Sequence, residues 1–130
     1  MKYKLLIALA TLSFSTFSFA DNYYGAIAYG SNGSNYAYFG IATNFYSFEE
    51  ARAYAIQTCA HNCSDLRLNF TTGKCAVGTS GSNGQGINAL VGSIGEPLAA
   101  LKSYALASCS ANKGINCKIE TVGCNSPANS

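Results

Sequence analysis

Six cysteines carry most of the chemistry open to this chain, and they fall into two triads: Cys59, Cys63 and Cys75, then Cys109, Cys117 and Cys124. Thiols could bond to one another, hold a metal or attack a substrate. Zinc sites draw on C-x-x-C pairs or several histidines. Here the spacings are C-x3-C and C-x7-C, and His61 is the single histidine. An even cysteine count in a small chain reads instead as a disulfide framework. That framework uses every thiol and removes cysteine from the candidate nucleophiles. No metal or other cofactor is expected.

The remaining reactive groups are sparse. His61 could act on a serine with Asp65 orienting it, but the chain has no Gly-x-Ser-x-Gly elbow, the turn that presents such a serine. His61 therefore reads as a loop residue. Glu49 and Glu50 are neighbours, and neighbouring helical side chains point about 100° apart. They do not share a proton by themselves and read as negative charge favoured at a helix start. Either could form a glycosidase-type pair with Glu120. The run Gly81-Ser82-Asn83-Gly84-Gln85-Gly86 lacks the Lys-Ser/Thr ending of a phosphate loop and reads as a hairpin turn. No catalytic residue is assigned.

Tyrosine is the other concentrated group. Tyr23, Tyr24, Tyr29, Tyr36, Tyr38, Tyr46 and Tyr54 fall within 32 residues. Tyr36 and Tyr38 alternate with Phe39, so they project from the opposite face of a strand. Exposed tyrosines offer large contact area at low entropic cost. A sheet face bearing Tyr36 and Tyr38, beside Tyr24 and Tyr29, is the candidate binding surface.

The elements that must position these groups repeat. Ala51-Arg52-Ala53-Tyr54-Ala55-Ile56-Gln57-Thr58-Cys59 matches Leu101-Lys102-Ser103-Tyr104-Ala105-Leu106-Ala107-Ser108-Cys109, and Gly30-Ser31-Asn32-Gly33 matches Gly81-Ser82-Asn83-Gly84. Strands at 25–29 and 36–42 flank the first Asn-Gly turn, as a hairpin requires. Ser47 can cap a first helix, and Pro97 suits the opening of a second. Phe48, Ala51, Ala55, Ile56 and Cys59 form one apolar helical stripe; Leu98, Leu101, Ala105, Leu106 and Cys109 form the other. Strands follow at 66–70, 75–79, 87–92 and 118–122. The expected fold is α+β: two pseudo-symmetric ββαβ halves, about 23–75 and 76–124. The turn at 71–74 would join them into one antiparallel sheet with both helices on one face.

Six cysteines allow fifteen connectivities, and geometry narrows them. A helix of about 13 residues and a strand of about seven have similar lengths, roughly 20 Å. A strand returning antiparallel under its helix starts near the helix end, which brings Cys59 to Cys63 and Cys109 to Cys117. Cys117 and Cys124 would lie at opposite ends of a strand, beyond bonding range. The expected pairs are Cys59–Cys63, Cys109–Cys117 and Cys75–Cys124.

Residues 1–20 read as a secretion signal. Lys2 and Lys4 precede an apolar run at 5–12, and Ser18-Phe19-Ala20 has the small-x-small form cut before Asp21. The run is too short for a membrane span. Cleavage would leave one domain, 21–130, without a membrane span. Without Lys2 and Lys4, six basic residues face six acidic ones. With no basic cluster, nucleic acid is excluded as a partner class.

The segment Tyr24-Gly25-Ala26-Ile27-Ala28, the Ala51, Ala55, Cys59 spacing and the repeated cysteine step resemble the small secreted bacterial family called domain of unknown function 4189. The resemblance covers nearly all of residues 23–124. That family commonly carries a tryptophan or further aromatic near the later strands, and this chain has no tryptophan. The resemblance implies export and a cysteine-stapled α+β domain. It brings no established activity and no catalytic residues.

The functional expectation is an exported, periplasmic or secreted, non-enzymatic binding module for a protein or glycan. An inhibitor or immunity-type protein is one form of it. The alternatives are a small hydrolase of cell-wall or glycan substrate using Glu49, Glu50 or Glu120, and a host-directed secreted factor.

Overall fold

The computed structural model describes residues 22–127 apart from 33–35, 60–62 and 64–66. Residues 1–20, which the sequence reads as a secretion signal, and Gly33, His61, Asp65 and Leu66 lie outside the described residues. The element order is β1 (Tyr24–Ser31), β2 (Ala37–Phe45), α1 (Phe48–Thr58), β3 (Arg67–Thr71), β4 (Cys75–Ser82), β5 (Ile87–Gly95), α2 (Leu98–Ala111) and β6 (Lys118–Cys124). The α+β class and the two ββαβ halves are as the repeat requires. No described helix is long and apolar enough to cross a membrane.

The sheet arrangement differs from the expectation. The strands form two three-stranded antiparallel sheets, β2-β1-β3 and β5-β4-β6, not one continuous sheet. The turn after β3 has Gly73 at φ +76°, and it carries the chain from the first sheet into the second. The sheets lie face to face, with β2 on β6, β1 on β4 and β3 on β5. Helix α1 packs on β1 and β2, and α2 on β4 and β5. The helices thus cover the two outer faces of a four-layer stack. The physical reason lies in the central strands: β4 is buried along nearly its whole length and β1 along most of its own. A strand buried on both faces needs two covers. A helix supplies one and the opposing sheet the other.

Alternation along each strand sorts the core accordingly. In β1, Ala26 and Ala28 face α1 with Ala42, Ala51, Ala55 and Cys59. Ile27 faces the other sheet with Phe70 and Ala76, flanked by Tyr29, Phe39, Ile41, Leu68 and Ile94. Under α2, Cys75 and Val77 pack on Leu101 and Ala105. Between the sheets, the first half supplies bulk and the second supplies space. A Cβ at Gly92 would sit 2.7 Å from Tyr29 Cε1, and one at Gly123 2.7 Å from Ile41 Cδ1. One at Gly78 would run into the ring of Phe39.

The disulfides are Cys59–Cys63, Cys75–Cys124 and Cys109–Cys117. The first and third tie each helix end to the loop behind it. Cys75 is the first residue of β4 and stands opposite Cys124 of β6. The second bond therefore closes the second sheet internally; the sequence boundary at 75/76 puts its two cysteines in different halves.

A polar lock spans them instead. Asn125 is fully buried. Its Nδ2 donates to the carbonyls of Phe70 (3.1 Å) and Thr71 (3.0 Å), and its Oδ1 accepts the Asn44 N–H at 2.8 Å. Its own N–H donates to the Lys74 carbonyl at 2.9 Å. Asn44 returns the contact, its Oδ1 accepting the Ser126 N–H at 2.8 Å.

Two variants test this account by urea unfolding. Gly92→Val overfills the space under Tyr29 and is expected to lower stability by about 3 kcal/mol. Asn125→Ala strands the Asn44 N–H, takes a donor from the Phe70 carbonyl and leaves the Thr71 carbonyl with only its Lys74 N–H bond; it is expected to cost about 2–4 kcal/mol, with the helices retained by circular dichroism. A loss below about 0.5 kcal/mol for either, the scale of an ordinary surface change, removes that contact from the account.

Candidate functional site

The four tyrosines proposed from sequence do not form one surface. Tyr24 heads β1, on the α1 side, and its ring meets Phe48 edge-on with centroids 4.6 Å apart. Tyr29 lies on the opposite face, between the sheets, stacked on Phe39 at 5.8 Å. Tyr36 is 65% exposed but stands beside the β1–β2 hairpin turn. Tyr38 is half-buried against the α1 core, and its hydroxyl accepts the Asn32 Nδ2 at 3.3 Å. Tyr24 pairs with Phe45 at one end of the hairpin, and Tyr36 precedes Ala37 at the other. At about 3.4 Å per residue, seven residues of strand put the two roughly 24 Å apart.

The structure concentrates aromatic rings elsewhere, at the open end of that hairpin. Tyr23 and Tyr46 lie 6.1 Å apart, Tyr24 and Phe48 4.6 Å, and Phe45 and Tyr54 5.3 Å. The local cause is plain. Tyr24 and Phe45 are paired strand ends, and Asn44, at φ 60°, bulges β2 there. Ser47 then caps α1 by accepting the Glu50 N–H at 3.1 Å. Two strand ends and a helix start thus converge, and each brings a ring. Tyr46 is 73% exposed and Tyr54 45%.

The second half repeats this end with different chemistry. Cys75 and Gly95 are its paired strand ends, standing where Tyr24 and Phe45 stand in the first. Lys74 and Glu96 replace Tyr23 and Tyr46 and form an ion pair at 2.8 Å. Leu98 replaces Phe48. Tyr104 keeps the place of Tyr54, but Gly95 puts no ring beneath it. The result is an open groove of about 260 Å³ lined by Ile94, Gly95, Glu96, Ala100, Leu101 and Tyr104. Sequence reasoning missed Phe45, Phe48, Gly95 and Tyr104. Extending the repeat alignment from Tyr54/Tyr104 back to Phe45/Gly95 is the signal that finds them.

The carboxylates are dispersed. Glu49 and Glu50 are exposed in the first turn of α1. Glu120 belongs to β6 in the second sheet, where it accepts the Ser80 hydroxyl and lies 4.0 Å from Lys118 Nζ. Glu96 lines the groove, held by Lys74. All six cysteines are disulfide-bonded. Burial pushes the Tyr29 phenol above its usual 10.0, while a hydrogen bond from the Gly92 backbone pulls the other way.

Residues 24–124 match the family model described as Domain of unknown function (DUF4189). The chain belongs to that family. No curated protein and no solved structure gives a significant match.

The partly buried phenol of Tyr29 makes stability pH-dependent. Its pKa is raised in the folded state, so the unfolded chain gives up this proton first as pH rises. The contribution is whole below pH 10 and is lost as pH climbs through the raised folded value. Thermal melts from pH 8 to 11 should fall more steeply for the unmodified protein than for Tyr29→Phe. Parallel slopes would show that the phenol is not desolvated.

Proposed function

We propose that this DUF4189 protein is an exported, non-enzymatic module that binds another protein through the aromatic end of its first half. The observation that carries this is the convergence of Tyr23, Tyr24, Phe45, Tyr46, Phe48 and Tyr54 at one end, with Tyr46 and Tyr54 open to solvent. Aromatic anchors dominate protein interfaces because they bury much area while ordering few bonds. Three disulfides hold the surface in place before contact, which lowers the ordering cost of binding. They also fit an oxidising compartment, as does reading residues 1–20 as a removed signal. The neighbouring rings are inclined at 33°, 69° and 39° to one another. They make a relief suited to a protein surface rather than a flat shelf for sugar rings. An inhibitor or immunity-type protein, which caps another protein's working surface, is the form this takes.

The test immobilises the oxidised protein and challenges it with cell-envelope extract. A specific protein should be retained and then lost on Tyr46→Ser with Tyr54→Ser. Two anchors of about 2 kcal/mol each would weaken binding by roughly 1,000-fold. Equal retention by the double variant, or retention of glycan alone, would overturn the reading.

A further inference from the structure

We infer that the groove beneath Tyr104 is a second binding site, built to receive one aromatic side chain of a partner protein. The argument comes from comparing the halves position by position. In the first, Phe45 ends β2, pairs with Tyr24 and lies 5.3 Å from the ring of Tyr54. In the second, Gly95 ends β5, pairs with Cys75 and lines a groove with Tyr104. Tyr54 and Tyr104 are each the seventh residue of their helix. The second half thus keeps the upper ring and omits the lower one, and Tyr104 is 63% exposed.

The fold does not require that omission. At Gly78, Gly92 and Gly123 an added Cβ would collide with side chains of the facing sheet. At Gly95 a Cβ would meet one atom, Leu101 Cδ1, at an ordinary 3.4 Å, and its φ lies outside the left-handed region. A side chain fits there and is absent, which leaves the 260 Å³ groove open. The chemistry of the occupant follows from the walls. Tyr104 offers a ring and Ala100 and Leu101 offer apolar wall, which matches the planar group filling the same place in the first half; the Ile94 side chain itself turns to the facing sheet. The Lys74–Glu96 pair at the rim is internally neutralised, so it selects no charge. The groove is small and open to solvent, which suits a single side chain anchored from outside by the rest of its protein. The site stands whether or not the Tyr46–Tyr54 face binds.

Amide chemical shifts of the oxidised protein provide the test. Titrants are the blocked tripeptides Ac-Ala-Tyr-Ala-NH2, Ac-Ala-Phe-Ala-NH2 and Ac-Ala-Leu-Ala-NH2, with phenol as a free ring. The aromatic peptides should give saturable shifts at Gly95, Ala100, Leu101 and Tyr104, with a Kd of about 1 mM. The leucine peptide should bind about tenfold more weakly, the worth of a ring pair beyond its area. Gly95→Phe, which supplies the missing ring from within, should abolish the shifts. Tyr104→Ala, an exposed change that leaves the core alone, should weaken them about tenfold and decides the matter if Gly95→Phe misfolds. Tyr46→Ser with Tyr54→Ser should leave them unchanged, which separates this site from the aromatic end. Shifts absent at these four residues, equal for the leucine peptide, or surviving in Gly95→Phe would overturn the site. Binding of phenol without the peptides would overturn its assignment to a protein side chain.

Discussion

The contact between the two sheets is the constraint that the other layers obey. It is an interface of bulk against space. Strand register makes Ile27 equivalent to Gly78, Tyr29 to Ser80, Ile41 to Gly92, Leu68 to Thr121 and Phe70 to Gly123. At every one of these positions the first half is large and the second small. Large side chains from one sheet reach into room left by the other, so the two inner faces interdigitate. With the inner faces matched, the outer faces are left for the helices. The alanines of α1, Ala51 and Ala55, let that helix sit low on β1 and β2, and their burial follows.

Covalent and polar ties have separate work. Each disulfide acts inside its own half: two hold helix ends, and Cys75–Cys124 fixes the edge strand β6 to β4. Nothing covalent beyond the chain itself joins the sheets. The Asn125 and Asn44 exchange does that, satisfying carbonyls of β3, the bulge of β2 and the corner at Lys74 together. An amide suits the place because it donates and accepts at once, and a buried network holds only when each member is matched.

Local features of the sequence were legible, and the stacking was not. Helical stripes, Asn-Gly turns and the doubled cysteine spacing place every described element within a few residues, because each rests on short-range chemistry. Strands such as Cys75-Ala76-Val77-Gly78-Thr79-Ser80 carry little alternation. Glycine, alanine and serine give no sign of which face meets what, and a single sheet with both helices on one face satisfies the same pattern. The sign that mattered was the absence of charge along β1 and β4, which fits strands covered on both sides. Asn125 left no trace either, since one asparagine beyond the last strand reads as loop. Tyrosine abundance did point to the first half, but strand position separates its members. Tyr29 packs between the sheets, Tyr38 leans on a helix, and Tyr24 joins a cluster whose other rings include two phenylalanines.

The unequal inner faces bear on what the duplicated unit can still do. Two copies of the first half, laid face to face, would set Ile27, Tyr29 and Phe39 against their own duplicates and could not close. Two copies of the second would face glycine with glycine and leave a hollow. Each half has lost the ability to recognise itself and kept the ability to recognise the other. The chain is in effect a heterodimer whose subunits share one backbone. Separate synthesis of its two halves would give fragments whose proper mate is the complementary one.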